Sequence, residues 1–535
     1  MSAAGPALLS PATVLHPAGG TAVVVGAAAC VVALAPAGIR WLRVAQREHY
    51  LADAASRFSL RWWRSGPLNP VLALVAVAGL VLTPWWPLCA LAPAAVSVVG
   101  PVGLPLRGRT SPLVATRRLR VLAAVWVVLE AVLVVLGIAL GAPAVVTAAA
   151  LVLSPVLVDA ACALTAPFEH RITGRYVRTA AERLRRVAPT VVAVTGSYGK
   201  TSTKNHIAHL VAGTKRAVTT PASFNNRPGL ARAINEQLTD GTEVFVAEMG
   251  TYRRGEIAEL CRWCPPEIAV ITAIGPVHLE RFGTEEAITE AKAEIAETAS
   301  VVVLNVDDPH LAELARRLAG TAAGTTSRTV VHCSTADEGA DVFVGRAGDT
   351  VRLVVAGTPV GGPVTTGPGV QPSNLACAVA VALRLGVGPE LIRARLADLP
   401  VVANRLTSGT AASGVVVLDD TFNSNPAGAG AALGALARAG SAPEGGGRRV
   451  VVTPGMVELG SRQAGENRAF AASAAEVATD LVVVGRTNRR ALLAGGAPLD
   501  PVTVGTREGA VTWVRAHLGP GDVVLYENDL PDHYP

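Results

Sequence analysis

Val191-Val192-Ala193-Val194-Thr195-Gly196-Ser197-Tyr198-Gly199-Lys200-Thr201-Ser202-Thr203 decides the fold of the larger part of this chain. The apolar run Val191–Val194 reads as a buried parallel strand. It runs into a glycine turn, a Lys-Thr pair and then a helical pattern. That order is what a nucleotide phosphate cradle requires. Glycines let backbone N–H groups approach phosphate oxygens, the helix N-terminus adds a favourable dipole, Lys200 neutralises β/γ charge and the Thr201 hydroxyl can bind Mg²⁺. Gly196, Ser197, Gly199, Lys200 and Thr201 are therefore the expected nucleotide contacts. The pattern departs from G-x-x-x-x-G-K-[ST] at one place, since Val194 stands where the first glycine would. The bland alternative is an ordinary glycine-rich helix entry.

Outward from this turn the chain changes character. It has 535 residues, enough for about three units. Half of them are hydrophobic, and the excess sits before residue 170. Five apolar stretches lie there, at 21–39, 70–85, 87–103, 121–140 and 143–165, and a helix needs about 20 apolar residues to cross a bilayer. The second and third meet at Thr83-Pro84-Trp85-Trp86-Pro87, a tight hairpin with Trp at the interface. Arg40 to Arg64, Arg107 to Arg120 and Arg171 to Arg186 flank alternate ends, whereas the Trp85 hairpin and Gly141-Ala142-Pro143 carry no basic residue. The positive-inside rule puts the N-terminus outside and everything after residue 170 in the cytoplasm of a multi-pass plasma-membrane protein.

The net charge of +6 comes almost wholly from Arg, and only four Lys occur, at 200, 204, 215 and 292. Placed as it is, this charge speaks for membrane topology and against nucleic acid. Glu130 and Asp159 are too few to define a transport path. Cys261 and Cys264 form a lone C-x-x-C without a second pair, so structural thiols are expected rather than zinc.

Downstream, a series of segments appears in a fixed order. Ser223-Phe224-Asn225-Asn226-Arg227-Pro228-Gly229 is followed by Glu248-Met249-Gly250, Gly275-Pro276-Val277-His278-Leu279-Glu280-Arg281-Phe282-Gly283 and Ala291-Lys292-Ala293-Glu294-Ile295. Then come Leu304-Asn305-Val306-Asp307-Asp308-Pro309, Asp419-Asp420-Thr421-Phe422-Asn423-Ser424-Asn425-Pro426 and Gly455-Met456-Val457-Glu458-Leu459-Gly460. With the T-G-S-x-G-K-T turn, these resemble the Mur ligases over about 190–535. The branch that adds D-alanyl-D-alanine to the UDP-N-acetylmuramoyl tripeptide is the nearest.

The resemblance implies an ATP-dependent acid–amino-acid ligase in cell-wall peptide or related envelope synthesis. It activates a carboxylate acceptor as an acyl phosphate, which an amine donor then attacks. The fold implied is an α-helical transmembrane region followed by α/β: 1–170 about five membrane helices, 171–190 a linker helix, 191–400 a P-loop Mur ligase central domain, and 401–535 a Rossmann-like C-terminal domain. The resemblance makes Thr201, Glu248, His278 and Lys292 ligands of two Mg²⁺ ions, with Lys292 carbamylated. A carbamate needs a primary amine, which Arg cannot supply, and this Arg-rich chain keeps Lys at 200 and 292. Lys204 and Lys215 show that Lys also persists without an assigned role. The resemblance places Arg405 near the γ-phosphate and Asp420 on the ribose. Asn374, before an Ala-rich helix at 375–385, is placed at the adenine, although Val370-Gln371 depart from the family's H-N-x-x-N. Asn225, Asn226, Asn423 and Asn425 are assigned to substrate, and Ser441–Gly447 is expected to be a loop.

Two departures matter. Membrane spans occupy the place of the small domain that grips UDP in soluble members, which raises a polyprenyl-linked acceptor as the natural hypothesis. Tyr526-Glu527-Asn528-Asp529 stands where a K-G-S-like segment is usual, so the amine is not expected to be simply D-Ala-D-Ala. A Mur-like ligase making a non-cell-wall amide and a membrane ATP-binding scaffold with degenerate catalysis are the competing readings.

Overall fold

The computed structural model describes residues 17–108, 113–221, 224–321, 328–367, 369–400, 406–421, 424–440, 447–531 and 533–535. The chain divides into two compact units, Ile172–Asp529 and a second made of the residues up to Arg171 with Leu530–Pro535.

The helical unit contains Pro17–Arg47, Ala54–Trp63, Leu68–Leu82, Leu91–Val99, Arg117–Ala139, Pro143–Val152 and the first half of Ser154–Val187. Gly20–Arg47 and Arg117–Ala139 are long and apolar enough to cross a membrane. The other expected spans differ. Leu68–Leu82 is bent 110° from Ala54–Trp63, and the apolar helix Pro87–Val99 is short. The fifth stretch breaks by 72° after Val152. Pro155 explains that break, because a proline lacks the N–H that would continue a helix and disfavours helical backbone in the residue before it. The linker at 171–190 is likewise no separate element, since Ser154–Val187 runs through it without interruption. Outward positions such as Val32, Leu74, Val135 and Ile138 are exposed apolar side chains.

Two of the polar groups buried in this unit, Asp159 and Arg40, have backbone partners. Asp159 accepts the N–H groups of Ala55 (3.0 Å) and Ser56 (2.9 Å), capping the helix Ala54–Trp63. Arg40 donates to the carbonyls of Ser97 and Val98, both at 2.6 Å, at a helix C-terminus. The last residues, expected in the C-terminal domain, pack here instead. The Trp62 indole donates to the His533 carbonyl (2.8 Å), His533 Nε2 meets Glu48 Oε1 at 3.0 Å, and Phe58 lies against His533 and Tyr534.

The α/β unit holds two mixed sheets. The strands of the first are β1 Thr190–Thr195, β2 Ala217–Thr219, β3 Val244–Glu248, β4 Ile268–Ile271, β5 Val301–Asn305, β6 Thr329–Ser334, β7 Val342–Ala347, β8 Thr350–Val355, β9 Thr358–Pro359 and β10 Val364–Thr365. Their order is β10-β8-β7-β6-β5-β4-β1-β3-β2, with β9 on β8, and β1 to β7 pair in parallel. Val191 and Ala193 face one core cluster, and Val192 and Val194 the other. A strand buried on both faces is why this run is continuously apolar. The second sheet has β11 Thr407–Thr410, β12 Val416–Asp420, β13 Arg449–Thr453, β14 Asp480–Val484, β15 Val502–Val504 and β16 Val523–Glu527, in the order β11-β12-β16-β13-β14-β15. Its strands are parallel apart from β11. Residues 426–439, Gly/Ala-rich in sequence, form a helix capped by Asn425; residues 441–446 of the expected loop lie outside the described residues.

Candidate active site

The carboxyl ends of β1, β3 and β4 place the expected phosphate turn beside its neighbours, where open α/β sheets bind ligands. Val194 pairs with Glu248 across β1 and β3. The turn is held from below by the loop after β4. Ser197 N–H donates to Ala273 (2.7 Å), and the Ser197 hydroxyl donates to the Gly275 carbonyl (3.2 Å) and accepts from its N–H (3.1 Å). Asp308 accepts the Ile274 N–H at 2.6 Å, so the Asp-Asp-Pro segment braces the same loop.

Glycine is required in this turn. Gly199 has φ +77°, and a Cβ there would stand 2.0 Å from Asn374 Oδ1. Gly196, at φ +151°, would meet Thr272 Oγ1 at 2.0 Å. Asn374 is thus brought to the turn, from the first turn of the helix Pro372–Arg384, which begins earlier than the sequence pattern indicated. Gly199→Ala forces both a clash and a left-handed alanine, the latter alone costing about 1–2 kcal/mol. Affinity for a fluorescent ATP analogue is expected to drop by tenfold or more; unchanged binding in a titration refutes this.

Lys200 Nζ donates to the carbonyls of Gly196 (2.7 Å) and Ser197 (3.4 Å). The Thr201 hydroxyl donates to Glu248 Oε2 at 2.9 Å. Glu248 is buried, and two further donors meet it: Lys204 Nζ at 3.4 Å and Asn225 Nδ2 at 3.4 Å. Lys204, without a role from sequence, also donates to the Thr220 carbonyl at 2.7 Å. Lys292, in the last turn of Glu285–Ala293, is fully buried. Desolvation holds its amine well below the ordinary lysine range, and the Lys200 charge adds to this. Burial also lowers the His278 imidazole, helped by Lys292 and Lys200 and opposed by Glu458. The Lys200 charge thus bears on both Lys292 and His278.

Among the described residues no three His, Cys, Asp or Glu side chains converge as a metal site. The donors present are a hydroxyl, one carboxylate, an imidazole and an amine. The two oxygen donors, the Thr201 hydroxyl and the Glu248 carboxylate, fit Mg²⁺, which keeps waters and takes one or two carboxylates plus phosphate oxygens rather than a protein cage. The bare-backbone turn fits the phosphates.

The second sheet contributes its own carboxyl edge. Asp420 Oδ1 accepts from Leu406 N–H at 3.1 Å. Beside it in register stands Glu527, fully buried and bonded to the hydroxyls of Ser424 and of Thr453, the latter at 2.6 Å. Sequence reading saw Glu527 only as an acidic replacement. Burial, with the Asp420 charge adding, pushes its carboxyl from 4.5 up to about 8. The native state therefore keeps this proton where the unfolded chain has lost it. The resulting stability is complete below about pH 4.5 and is lost as pH rises through about 8. Glu527→Gln is expected to remove that part of the decline in melting temperature between about pH 6 and about pH 9, as read by thermal scans.

Of the expected substrate residues, Asn226 and Asn425 cap helices, accepting from Gly229 (3.0 Å) and Gly428 (2.9 Å). Arg405 and Asn423 lie outside the described residues. Cys261 and Cys264 are buried in the core, their thiols raised by desolvation. Glu458, unassigned from sequence, meets His278 Nδ1 at 2.5 Å.

Two family descriptions match the chain: the Mur ligase middle domain over residues 194–382 and the Mur ligase glutamate ligase domain over 404–526. The UDP-N-acetylmuramoyl-tripeptide–D-alanyl-D-alanine ligase of Mycobacterium tuberculosis is 33% identical over 375 residues, 63% of this chain and 69% of that one. The enzyme of the same name from Escherichia coli is 31% identical over 282 residues, 51% and 59% of the two chains. The crystal structure of MurF from Thermotoga maritima in complex with ADP overlays with a TM-score of 0.57 at 26% identity, covering 67% of this chain and 80% of that one. Fold, site and relatives together define an ATP-dependent ligase that forms amide bonds. The chain belongs to the Mur ligase family.

Proposed function

We propose that this ligase joins an amine to the carboxylate of a cell-wall peptide precursor, or of a related envelope polymer, through an acyl phosphate. What supports the reading is the bond of Thr201 to Glu248 at the phosphate turn, with the Lys200 charge bearing on His278 and Lys292. Lys200 and the turn's N–H groups hold the phosphates of ATP, with Asn374 against the turn and Asp420 and Arg405 on the nucleotide. Thr201, Glu248, His278 and Lys292 are suited to hold two magnesium ions, which when bound screen the terminal phosphate from the acceptor carboxylate. Lys292, its amine favoured neutral by burial, is suited to carbamylation. Asn225, Asn226, Asn423 and Asn425 are assigned to the acceptor by the family resemblance.

The helical unit anchors the enzyme in the plasma membrane, with the catalytic domains cytoplasmic and the N-terminus outside. This sidedness requires that the bent pair from Pro143 crosses once, and it is the same whether the preceding hairpin re-enters or crosses twice. Leu68–Leu82 extends about 22 Å at 1.5 Å per residue, short of the roughly 30 Å hydrocarbon core. Arg-rich segments flank the hairpin it forms with Pro87–Val99 on both sides, so a re-entrant hairpin and a double crossing give the same orientation.

With helices in the place of a UDP-binding domain, the acceptor is polyprenyl-linked. Protein purified in detergent is expected to release phosphate from ATP faster with a polyprenyl-linked acceptor than with the UDP-linked one; equal rates sink the lipid linkage while leaving the ligase intact. Glu527, buried and uncharged at neutral pH, stands where a cationic segment is usual, so the amine is other than D-Ala-D-Ala alone. A screen of amines for acceptor-dependent phosphate release tests this.

A further inference from the structure

We propose that Glu458 is a positioning residue that orients His278 and makes the magnesium site dependent on apposition of the second α/β domain. This rests on the reading of His278 as a metal ligand. Three observations carry it, all within the α/β unit.

The first is the bond itself. His278 Nδ1 and Glu458 Oε2 are 2.5 Å apart, joining residues 180 positions distant in sequence. A carboxylate only accepts, so the Nδ1 facing it carries the proton, and the lone pair of a neutral imidazole is left on Nε2. A carboxylate behind a ligating histidine fixes both tautomer and ring direction. The Tyr252 ring lies edge-on to the imidazole, with centroids 4.9 Å apart, and confines it further.

The second is backbone. His278 has φ +68° and Glu458 φ +64°, both non-glycine residues in the left-handed region. Such conformations are costly for a residue with a Cβ and persist where the surroundings over-determine them. Here the two strained residues face each other across a single contact.

The third is that the contact is a seam. The Glu280 N–H donates to the Glu458 carbonyl at 3.4 Å. A Cβ on Gly460 would lie 3.0 Å from Glu280 N, so the segment after Glu458 is pressed against the turn after His278. Arg462 reaches Glu285 at 2.7 Å, on the helix that carries Lys292. Glu458, Gly460 and Arg462 follow β13 of the second sheet, whereas His278 and Glu285 follow β4 of the first. Moving the second domain away removes the group that aims the imidazole.

The test uses full-length protein in detergent. Mn²⁺ binding with ADP is measured by electron paramagnetic resonance, and backbone hydrogen exchange of residues 275–283 is followed without nucleotide. Glu458→Ala is expected to weaken Mn²⁺ binding about 10–100-fold and to speed exchange in 275–283. Glu458→Gln, which keeps an acceptor oxygen, is expected to stay within about threefold of the parent. Turnover should lose kcat with KM for ATP little changed. Should Glu458→Ala prove unstable, Glu458→Asp, too short to reach Nδ1, substitutes for it. If His278→Ala weakens Mn²⁺ binding but Glu458→Ala and Glu458→Asp leave both readouts at parental values, the positioning role is overturned. If His278→Ala itself leaves Mn²⁺ binding unchanged, the metal-ligand reading falls and the proposal with it.

Discussion

Lys292→Ala is expected to lower amine-dependent phosphate release by on the order of 10³-fold, the scale on which removal of one preorganised electrostatic group acts. The side chain is fully buried, and desolvation together with the Lys200 charge favours its neutral amine. A buried lysine whose charged form is disfavoured contributes little as a cation. Its chemical value lies in the amine, which can take up carbon dioxide and become an anion able to hold a metal. ATP affinity should change by no more than about threefold, because the turn and Lys200 are untouched. Two further variants separate the carbamate from mere packing. Lys292→Arg fills the volume but cannot form a carbamate, and it should be as inactive as the alanine variant. Short carboxylic acids added to Lys292→Ala should restore part of the rate by placing a carboxylate in the space. An arginine variant as fast as the parent would defeat the carbamate reading.

How much of this was legible in the sequence depended on distance along the chain. The strand, the glycine turn and the following helix are local, so Val191–Thr203 alone reveals that strand–turn–helix, and the positive φ of Gly199 accords with its glycine. The influence of the Lys200 charge on His278 and Lys292 was implied by ordered motifs, since nothing local brings residues 200 and 292 together. Pro155 did carry a readable signal for the helix break that a five-span count passed over. Other features left no local trace. Glu527 looked like part of an acidic tail, yet the parallel register of β16 with β12 and β13 buries it against Ser424 and Thr453. Residues 530–535 read as the end of an α/β domain, and only tertiary packing of His533 and Tyr534 on Phe58 and Trp62 assigns them to the helical unit. The partner of His278 lies 180 residues away, beyond the reach of any pattern rule.

Lys204→Met is expected to be the most destabilising single change near the site, and it also bears on catalysis. In the sequence Lys204 was a lysine without a task. In the fold both it and Glu248 are nearly inaccessible, with side-chain exposures of 2% and 4%, and their charges lie 3.4 Å apart. Removing one partner of a buried pair leaves an uncompensated charge, typically at a cost of about 3–5 kcal/mol. The carboxylate would keep the Thr201 hydroxyl and the Asn225 amide, neutral donors that offset only part of that cost. Thermal scans should therefore show a clear drop in melting temperature for Lys204→Met. ATP turnover should fall with it, because the ammonium also ties Glu248 to the Thr220 carbonyl and so sets where the carboxylate stands relative to Thr201. The double variant Lys204→Met with Glu248→Gln resolves the two effects. It removes the orphan charge, so much of the lost stability should return, whereas turnover should stay low because the proposed metal-binding carboxylate is gone. A single variant as stable as the parent would show that the pair contributes nothing to the fold. A double variant regaining full turnover would remove Glu248 from the magnesium site.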